Sequence, residues 1–163
     1  MTRDRAGERL SADECARLGS LASRVDCERV RLHRARRRGA GGAVRAAVLW
    51  ASRGRAIALG NHVFLPDRCA RDLATLAHEL THCGQYQTWG AWRYFTRGAA
   101  AQLRHLLHRR LGVGRSPYEY RLEEGKAFES YGMEQQGQIV EDCFRGDRAA
   151  LAVSPFRPPA DLA

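Results

Sequence analysis

The chain has 163 residues, a formal net charge of +9, and 44% hydrophobic residues. This length and composition support one domain with a buried core. No apolar run reaches the roughly 20 residues that a membrane-spanning helix needs, which excludes an integral membrane protein of that type. The first ten residues are highly charged and lack an apolar secretory segment, so we expect cytoplasmic synthesis without a signal peptide. The five cysteines form no C-x-x-C pair and favour free thiols over a disulfide framework.

Arginine supplies nearly all of the positive charge, since Lys126 is the only lysine. Such charge can attract nucleic acid, an anionic membrane or an acidic partner, but it also arises from genome base composition. The densest run lies at residues 34–38 and is followed by several glycines. No aromatic side chains are interleaved with it for base stacking. We therefore predict a solvated basic loop and no specific nucleic-acid partner.

In the N-terminal third, the pattern predicts a helix and then a short strand. Ser11 and Glu14 form a capping box, which predicts a helix from Ala12 to Ser23. Residues 30–33 alternate and indicate a strand. Residues 43–51 are mainly apolar and fit either a helix or a strand.

A hairpin is predicted directly before the central helix of the chain. Two β-prone runs at residues 56–59 and 62–65 are joined by Gly60 and Asn61. The edge of such a sheet can hold an extended peptide by main-chain pairing.

The segment from His78 to His82 reads H-E-x-x-H. Histidines at i and i+4 on a helix project from one face, and both can reach one zinc ion. The intervening Glu79 adjoins the metal without ligating it and can act as general base, as in zinc peptidases. We expect this helix to begin near Pro66 and Asp67. The alternative is an amphipathic helix whose histidines only sit at a polar boundary.

Downstream of Gly90, two further helical segments are predicted. Apolar residues between Trp92 and Leu111 mark the first, whose His105 and His108 we place on a solvated face. The second spans about residues 127–144. The proline-rich end of the chain predicts a mobile tail.

Catalytic zinc sites usually take three protein ligands, so one is missing from the H-E-x-x-H motif. Among the downstream carboxylates we choose Glu134, because helical packing can bring it to the zinc helix, with Glu129 as runner-up. The small Gly137 permits a close approach of the two helices. Gln138, one turn beyond Glu134, is placed to hydrogen-bond a ligating histidine.

These motifs together resemble a known family. His78 to Gln87 resembles the H-E-L-T-H-x-x-Q block of the metallopeptidase core domain associated with bacterial extracellular contractile injection systems, and residues 58–65 look like that family's hairpin before the zinc helix. Tyr131 to Val140 is similar to the Y-G-x-E-Q-Q-A-x-I-V block of short Vgr-related proteins. The resemblance covers residues 30–144. Gly137 stands where the family pattern often has alanine, and the helix after Gly90 looks longer than in the short Vgr-related chains.

The resemblance implies an α+β fold of the minimal zincin type, with gluzincin-like ligation that supports Glu134. We expect one domain over residues 1–153, comprising an N-terminal helical segment (1–27), strands and hairpin (28–66), the zinc helix (67–88) and a helical part with the third ligand (90–146), then a flexible tail (154–163).

Three functions are compatible with the sequence. The first is a Zn²⁺-dependent metallopeptidase that acts on a peptide or protein substrate, with Glu79 as general base and Tyr118, Tyr120 or an arginine stabilising the oxyanion. The second is a non-catalytic assembly or cargo component of a contractile injection system, with other components of that system as partners and export as cargo. The third, a basic nucleic-acid-binding protein, ranks last because no recognition motif is present.

Overall fold

The computed structural model describes residues 7–34 and 40–159. It has an α+β architecture in which five helices surround a small three-stranded sheet. The helices are α1 (Ala12–Leu18), α2 (Ala40–Ala51), α3 (Leu73–Leu111), α4 (Met133–Phe144) and α5 (Arg148–Val153), and the strands are β1 (Arg31–His33), β2 (Ile57–Leu59) and β3 (His62–Phe64). Short 3-10 turns precede β1, α3 and α4.

The sheet has the order β1-β3-β2, with β1 parallel and β2 antiparallel to the central β3. The predicted hairpin is confirmed: Leu59 pairs with His62 across the Gly60–Asn61 turn. Gly60 has a φ of 65°, which glycine adopts without strain in the turn. A side chain at this position would also crowd the ring of Tyr86, and glycine avoids this contact. The hairpin is thereby held against α3.

The helix α3 consists of two segments separated at Gly90, whose φ of 76° and ψ of 166° are not helical. We call residues 73–89 the first segment and residues 91–111 the second segment. The first segment is buried at its centre and joins α4 in the most extensive helix contact of the fold. The hydrophobic core includes the fully buried Leu80 and Cys83 from α3 and Ile139 from α4.

Two boundaries differ from the sequence-based expectation, and the structure assigns one segment that the sequence left ambiguous. The zinc helix begins at Leu73 rather than near Pro66, because Asp67–Cys69 form a separate 3-10 turn and the carboxylate of Asp72 accepts from the backbone N–H of Ala74. The capping box at α1 is present, but the regular helix ends at Leu18 and continues as a 3-10 turn. The ambiguous segment within residues 43–51 is helical and belongs to α2.

Residues 154–159, the described part of the predicted tail, contact the core. Ser154 is buried, and the ring of Phe156 lies 5.7 Å from that of Phe128 in an edge-to-face arrangement. The backbone N–H of Arg157 donates to the Ser20 hydroxyl. Residues 154–159 therefore pack on the core beside α1. Most of the predicted basic loop, residues 35–39, lies outside the described residues.

Candidate metal centre

The first segment of α3 brings His78 and His82 to one buried position. Both imidazoles project from the same helix face, as the i, i+4 spacing predicts. Their Nε2 atoms lie 3.2 Å apart, and both residues are at least 93% buried, with exposures of 7% and 5%. The two histidines that the motif predicts as ligands therefore point at one location.

The carboxylate of Glu134 approaches this location from the first turn of α4. Its Oε2 lies 3.6 Å from His82 Nε2, and one ligand atom from each of the three residues lies within 4.8 Å of the others. Ligands at about 2.0–2.1 Å from a tetrahedral zinc ion lie about 3.3–3.4 Å from one another. The His78, His82 and Glu134 side chains thus form a group that could hold a metal ion, and the nitrogen and oxygen donors suit zinc.

Gly137 leaves room for a histidine side chain where α3 and α4 meet. A Cβ added to Gly137 would lie 2.8 Å from His78 Nε2 and 3.0 Å from its Cε1. The predicted role of this glycine in close helix approach therefore has a specific target. The space that a side chain would take is filled by the ring of a ligand histidine.

Buried amides orient the imidazole of His82. Its Nδ1 lies 2.8 Å from the side-chain oxygen Oε1 of Gln85, which leaves Nε2 to face the metal position. The Gln85 amide donates to Gln136 Oε1 at 2.9 Å, and the Gln136 amide donates to the Tyr131 carbonyl. This chain of amides links the zinc helix to the start of α4.

A carboxylate stands behind His78. Glu141 Oε2 lies 3.0 Å from His78 Nδ1, within ion-pair distance although not aligned as a hydrogen bond. Arg145 donates to Glu141 and to Asp72 at 2.8 Å each, so the carboxylate is itself held in place. Arrangements of this kind fix a ligand histidine and raise its basicity.

Two predicted residues do not take the roles expected of them. Gln138 lines the cleft, but its amide donates to Asp142 Oδ1, one helical turn along α4. The Nδ1 atoms of both histidines face Gln85 and Glu141, and Gln138 makes no hydrogen bond to either histidine in the structure. The runner-up ligand Glu129 is exposed in the turn before α4 and does not reach the site.

The electrostatics of the site favour a charged His82–Glu134 pair. Burial alone lowers the pKa of His82, but the carboxylate of Glu134, 3.6 Å from Nε2, raises it to about 9. Burial alone raises the pKa of Glu134, and the contact with His82 more than offsets this, so that the pKa falls below its usual range. A metal ion would take the place of the proton that this pair shares.

Glu79 lies beside the histidine pair without a partner of its own. Its carboxylate is buried, and Oε2 makes no hydrogen bond to any described residue. Burial raises the pKa of Glu79, while the neighbouring imidazoles of His78 and His82 act in the opposite direction. An unsatisfied buried carboxylate is costly and needs a counterpart, which a metal ion and its water would provide.

A cleft of about 820 Å³ opens onto this site. One wall is β2, the edge strand of the sheet, and another is the second segment of α3. The Tyr94 hydroxyl donates to the Ala58 carbonyl, so one acceptor of this edge is already used. The edge offered to an extended peptide is therefore shorter than the hairpin alone suggested.

Of the two tyrosines suggested for oxyanion stabilisation, only Tyr118 lines this cleft. Its hydroxyl oxygen accepts from Arg55 Nη1 at 3.1 Å and Gln102 Nε2 at 3.4 Å, and its own proton has no acceptor among the described residues. The Tyr120 hydroxyl instead donates to Asp142, and its ring lines a different cavity of about 1080 Å³. Tyr118 is thus the tyrosine with a proton to donate into the cleft.

Sequence reasoning identified the three ligand candidates and Glu79, but not Gln85, Glu141 or Arg55 as parts of the site. The signal for Gln85 was present, because it lies one turn after His82 on the same helix face and belongs to the H-E-L-T-H-x-x-Q block. Glu141 is one of the downstream carboxylates, which were considered only as metal ligands. Arg55 is distant in sequence and carries no local signal.

Residues 20–90 of the chain match the model of the eCIS core domain. The matched segment includes the sheet, the H-E-x-x-H motif and the break at Gly90, and covers less than half of the chain; Glu134 lies beyond it. The match supports an association with extracellular contractile injection systems. No curated protein and no solved structure matches the chain. None of the helices in residues 7–34 and 40–159 is long and apolar enough to cross a membrane.

Proposed function

We propose that the protein is a zinc-dependent metallopeptidase that acts within a contractile injection system. The observation that carries this proposal is the buried, unpartnered carboxylate of Glu79 beside His78 and His82, at the base of the cleft. A site that only binds a structural metal has no need of such a carboxylate. The match to the eCIS core domain supports the setting, and the cleft beside an edge strand supports a peptide as substrate.

Each residue of the site has a separate role in the proposed reaction. His78, His82 and Glu134 hold the zinc ion, which supplies a Lewis acid that polarises a carbonyl and makes water more acidic. Glu79 accepts a proton at its free carboxylate oxygen and returns it to the leaving amine. Tyr118, held by Arg55, donates its hydroxyl proton toward the oxygen on which negative charge develops.

The competing function is a non-catalytic assembly or cargo component that retains the fold and the metal. The family match favours it as much as it favours the enzyme, because the match concerns the setting and not the chemistry. The two functions differ in what they require of Glu79. Only the peptidase needs the basicity of this side chain.

The test compares zinc-loaded wild type with Glu79→Gln on an unstructured protein substrate. The substitution keeps the size and hydrogen-bonding capacity of the side chain but removes its basicity. We expect zinc content and thermal stability to be retained and cleavage to fall by about two to four orders of magnitude. Glu129→Gln, an exposed carboxylate outside the site, is the matched control and should cleave as wild type does. Equal cleavage by wild type and Glu79→Gln would refute the mechanism, and no cleavage by wild type across a broad substrate set would favour the assembly function.

A further inference from the structure

The second segment of α3 carries an apolar face that is largely exposed. Tyr94 and the inward-facing part of this segment contact the domain, and the opposite side bears large apolar side chains. We call this face the apolar ridge; it comprises Trp92, Phe95, Leu103, Leu106 and Leu107. Trp92 is 81% exposed and Leu103 is 56% exposed. At 1.5 Å per residue, the 21-residue segment extends for about 30 Å, so the ridge is long and convex rather than a pocket.

The charged side chains of the second segment itself are all positive. Residues 80–118 contain no aspartate or glutamate and six arginines. At 100° per residue, Arg93, Arg97 and Arg104 lie along one edge of the ridge, Arg109 lies along the other, and Arg110 lies in line with Trp92 at the C-terminal end of the ridge. Among the described residues, none of these arginines forms an ion pair, and Arg97 stacks on the ring of Trp89 at 4.4 Å. The occupant of this face must therefore be apolar and negatively charged.

This charge pattern selects among the possible occupants. A second copy of the chain would bring its own arginines against these, so a symmetric pairing of two ridges is unfavourable. A helix with tryptophan, phenylalanine and leucine on one face and arginine at its flanks matches the pattern of helices that lie in the interface of a membrane. A lipid surface with anionic headgroups meets the arginines on both edges at once while its acyl region takes up the apolar side chains.

We propose that the apolar ridge of the second segment of α3 docks the protein on an anionic lipid surface, with Trp92 and Leu103 inserted among the acyl chains. The metal cleft lies on the flank of the same segment, since Phe95 and Gln102 line it. Docking would therefore hold the cleft close to the membrane surface. The proposal does not depend on the peptidase activity, because it uses only surface residues.

The experiment measures sedimentation of the full chain with phosphatidylcholine vesicles that contain or lack 30% phosphatidylserine, with about 0.15 M salt. We expect binding to the anionic vesicles only. Trp92→Gln combined with Leu103→Gln leaves the charge unchanged and should weaken binding about tenfold or more. Trp50→Gln is the matched control, because Trp50 is 84% exposed but lies on α2, away from the ridge, and its substitution should have no effect.

Brominated acyl chains provide a readout that does not depend on the double variant folding. They should quench the tryptophan emission of vesicle-bound wild type and of Trp50→Phe, and the quenched component should vanish in Trp92→Phe. Absence of binding to anionic vesicles would overturn the proposal, as would equal binding by the double variant, which would indicate charge attraction alone. Capture by an acidic amphipathic peptide, without vesicle binding, would instead assign the ridge to a protein partner.

Discussion

Gly137 of α4 faces the imidazole of His78 so closely that a Cβ added at this position would lie 2.8 Å from Nε2. A methyl group at this position would displace the ring that carries one proposed ligand atom. Gly137→Ala should therefore weaken zinc binding by about tenfold or more, the scale seen when the support of a ligand is disturbed. The measurement is zinc affinity by competition with a chelating dye.

The same substitution distinguishes an effect on zinc binding from an effect on the stability of the fold. Alanine in a helix interior is favoured over glycine by about 1 kcal/mol, which partly offsets the cost of moving a side-chain end. The thermal midpoint of the metal-free protein should accordingly change little. If Gly137→Ala binds zinc as tightly as wild type does, then His78 is not held where the structure places it. The family pattern often has alanine here, so this departure is less mild than the sequence suggested.

Tyr118 and Tyr120 provide a matched pair for the proposed oxyanion donor. Tyr118→Phe removes the hydroxyl that faces the cleft and should lower kcat by about two to three orders of magnitude, with little change in KM or zinc content. Tyr120→Phe removes a hydroxyl that is bonded to Asp142 outside the cleft and should leave kcat unchanged. Steady-state kinetics on one peptide substrate decides the matter. A larger loss in Tyr120→Phe would reverse the assignment.

The His82–Glu134 pair predicts how the stability of the metal-free protein depends on pH. The pKa of His82 is raised from about 6.5 to about 9 in the folded state, so its contribution is complete below pH 6.5 and is lost as the pH rises toward 9. Since the pKa of Glu134 is lowered, its contribution is present above about pH 4.5 and is lost on further acidification. Thermal unfolding of chelator-treated protein should therefore show a decline between pH 6.5 and 9.

The variant His82→Gln isolates this effect, because it should lack the portion of the decline that His82 causes. Zinc should act in the opposite direction over the same range, since it competes with a proton for His82 and binds more tightly as the pH rises. A pH dependence that is identical in wild type and His82→Gln would show that the pair does not titrate together.

The zinc helix and its hairpin could be predicted because their signals are local. The i, i+4 spacing of His78 and His82 and the two-residue turn at Gly60 each determine geometry within a few residues. The choice of Glu134 depended on packing between α3 and α4, which brings together side chains about 50 positions apart in the chain. The contact between Gly137 and His78 shows how that packing is achieved.

Other features depend on long-range contacts that carry no local signal. Arg55 reaches Tyr118 across 63 positions, and Arg145 reaches Asp72 across 73, so neither partner could be inferred from spacing. The apolar residues from Trp92 to Leu107 have the periodicity of a helix, but periodicity alone does not distinguish a buried face from an exposed one. The contact between Phe156 and Phe128 could not be predicted, because proline-rich composition carries no signal for it.

The proposed function requires above all that His78, His82 and Glu134 bind a single metal ion. X-ray absorption at the zinc edge of the stoichiometrically loaded protein tests it directly. We predict one zinc per chain with two imidazole nitrogens and a carboxylate oxygen as protein ligands. The substitution His82→Ala should abolish this absorption signal of bound zinc. A sulfur ligand from any of the five cysteines, or full zinc occupancy in His82→Ala, would contradict it.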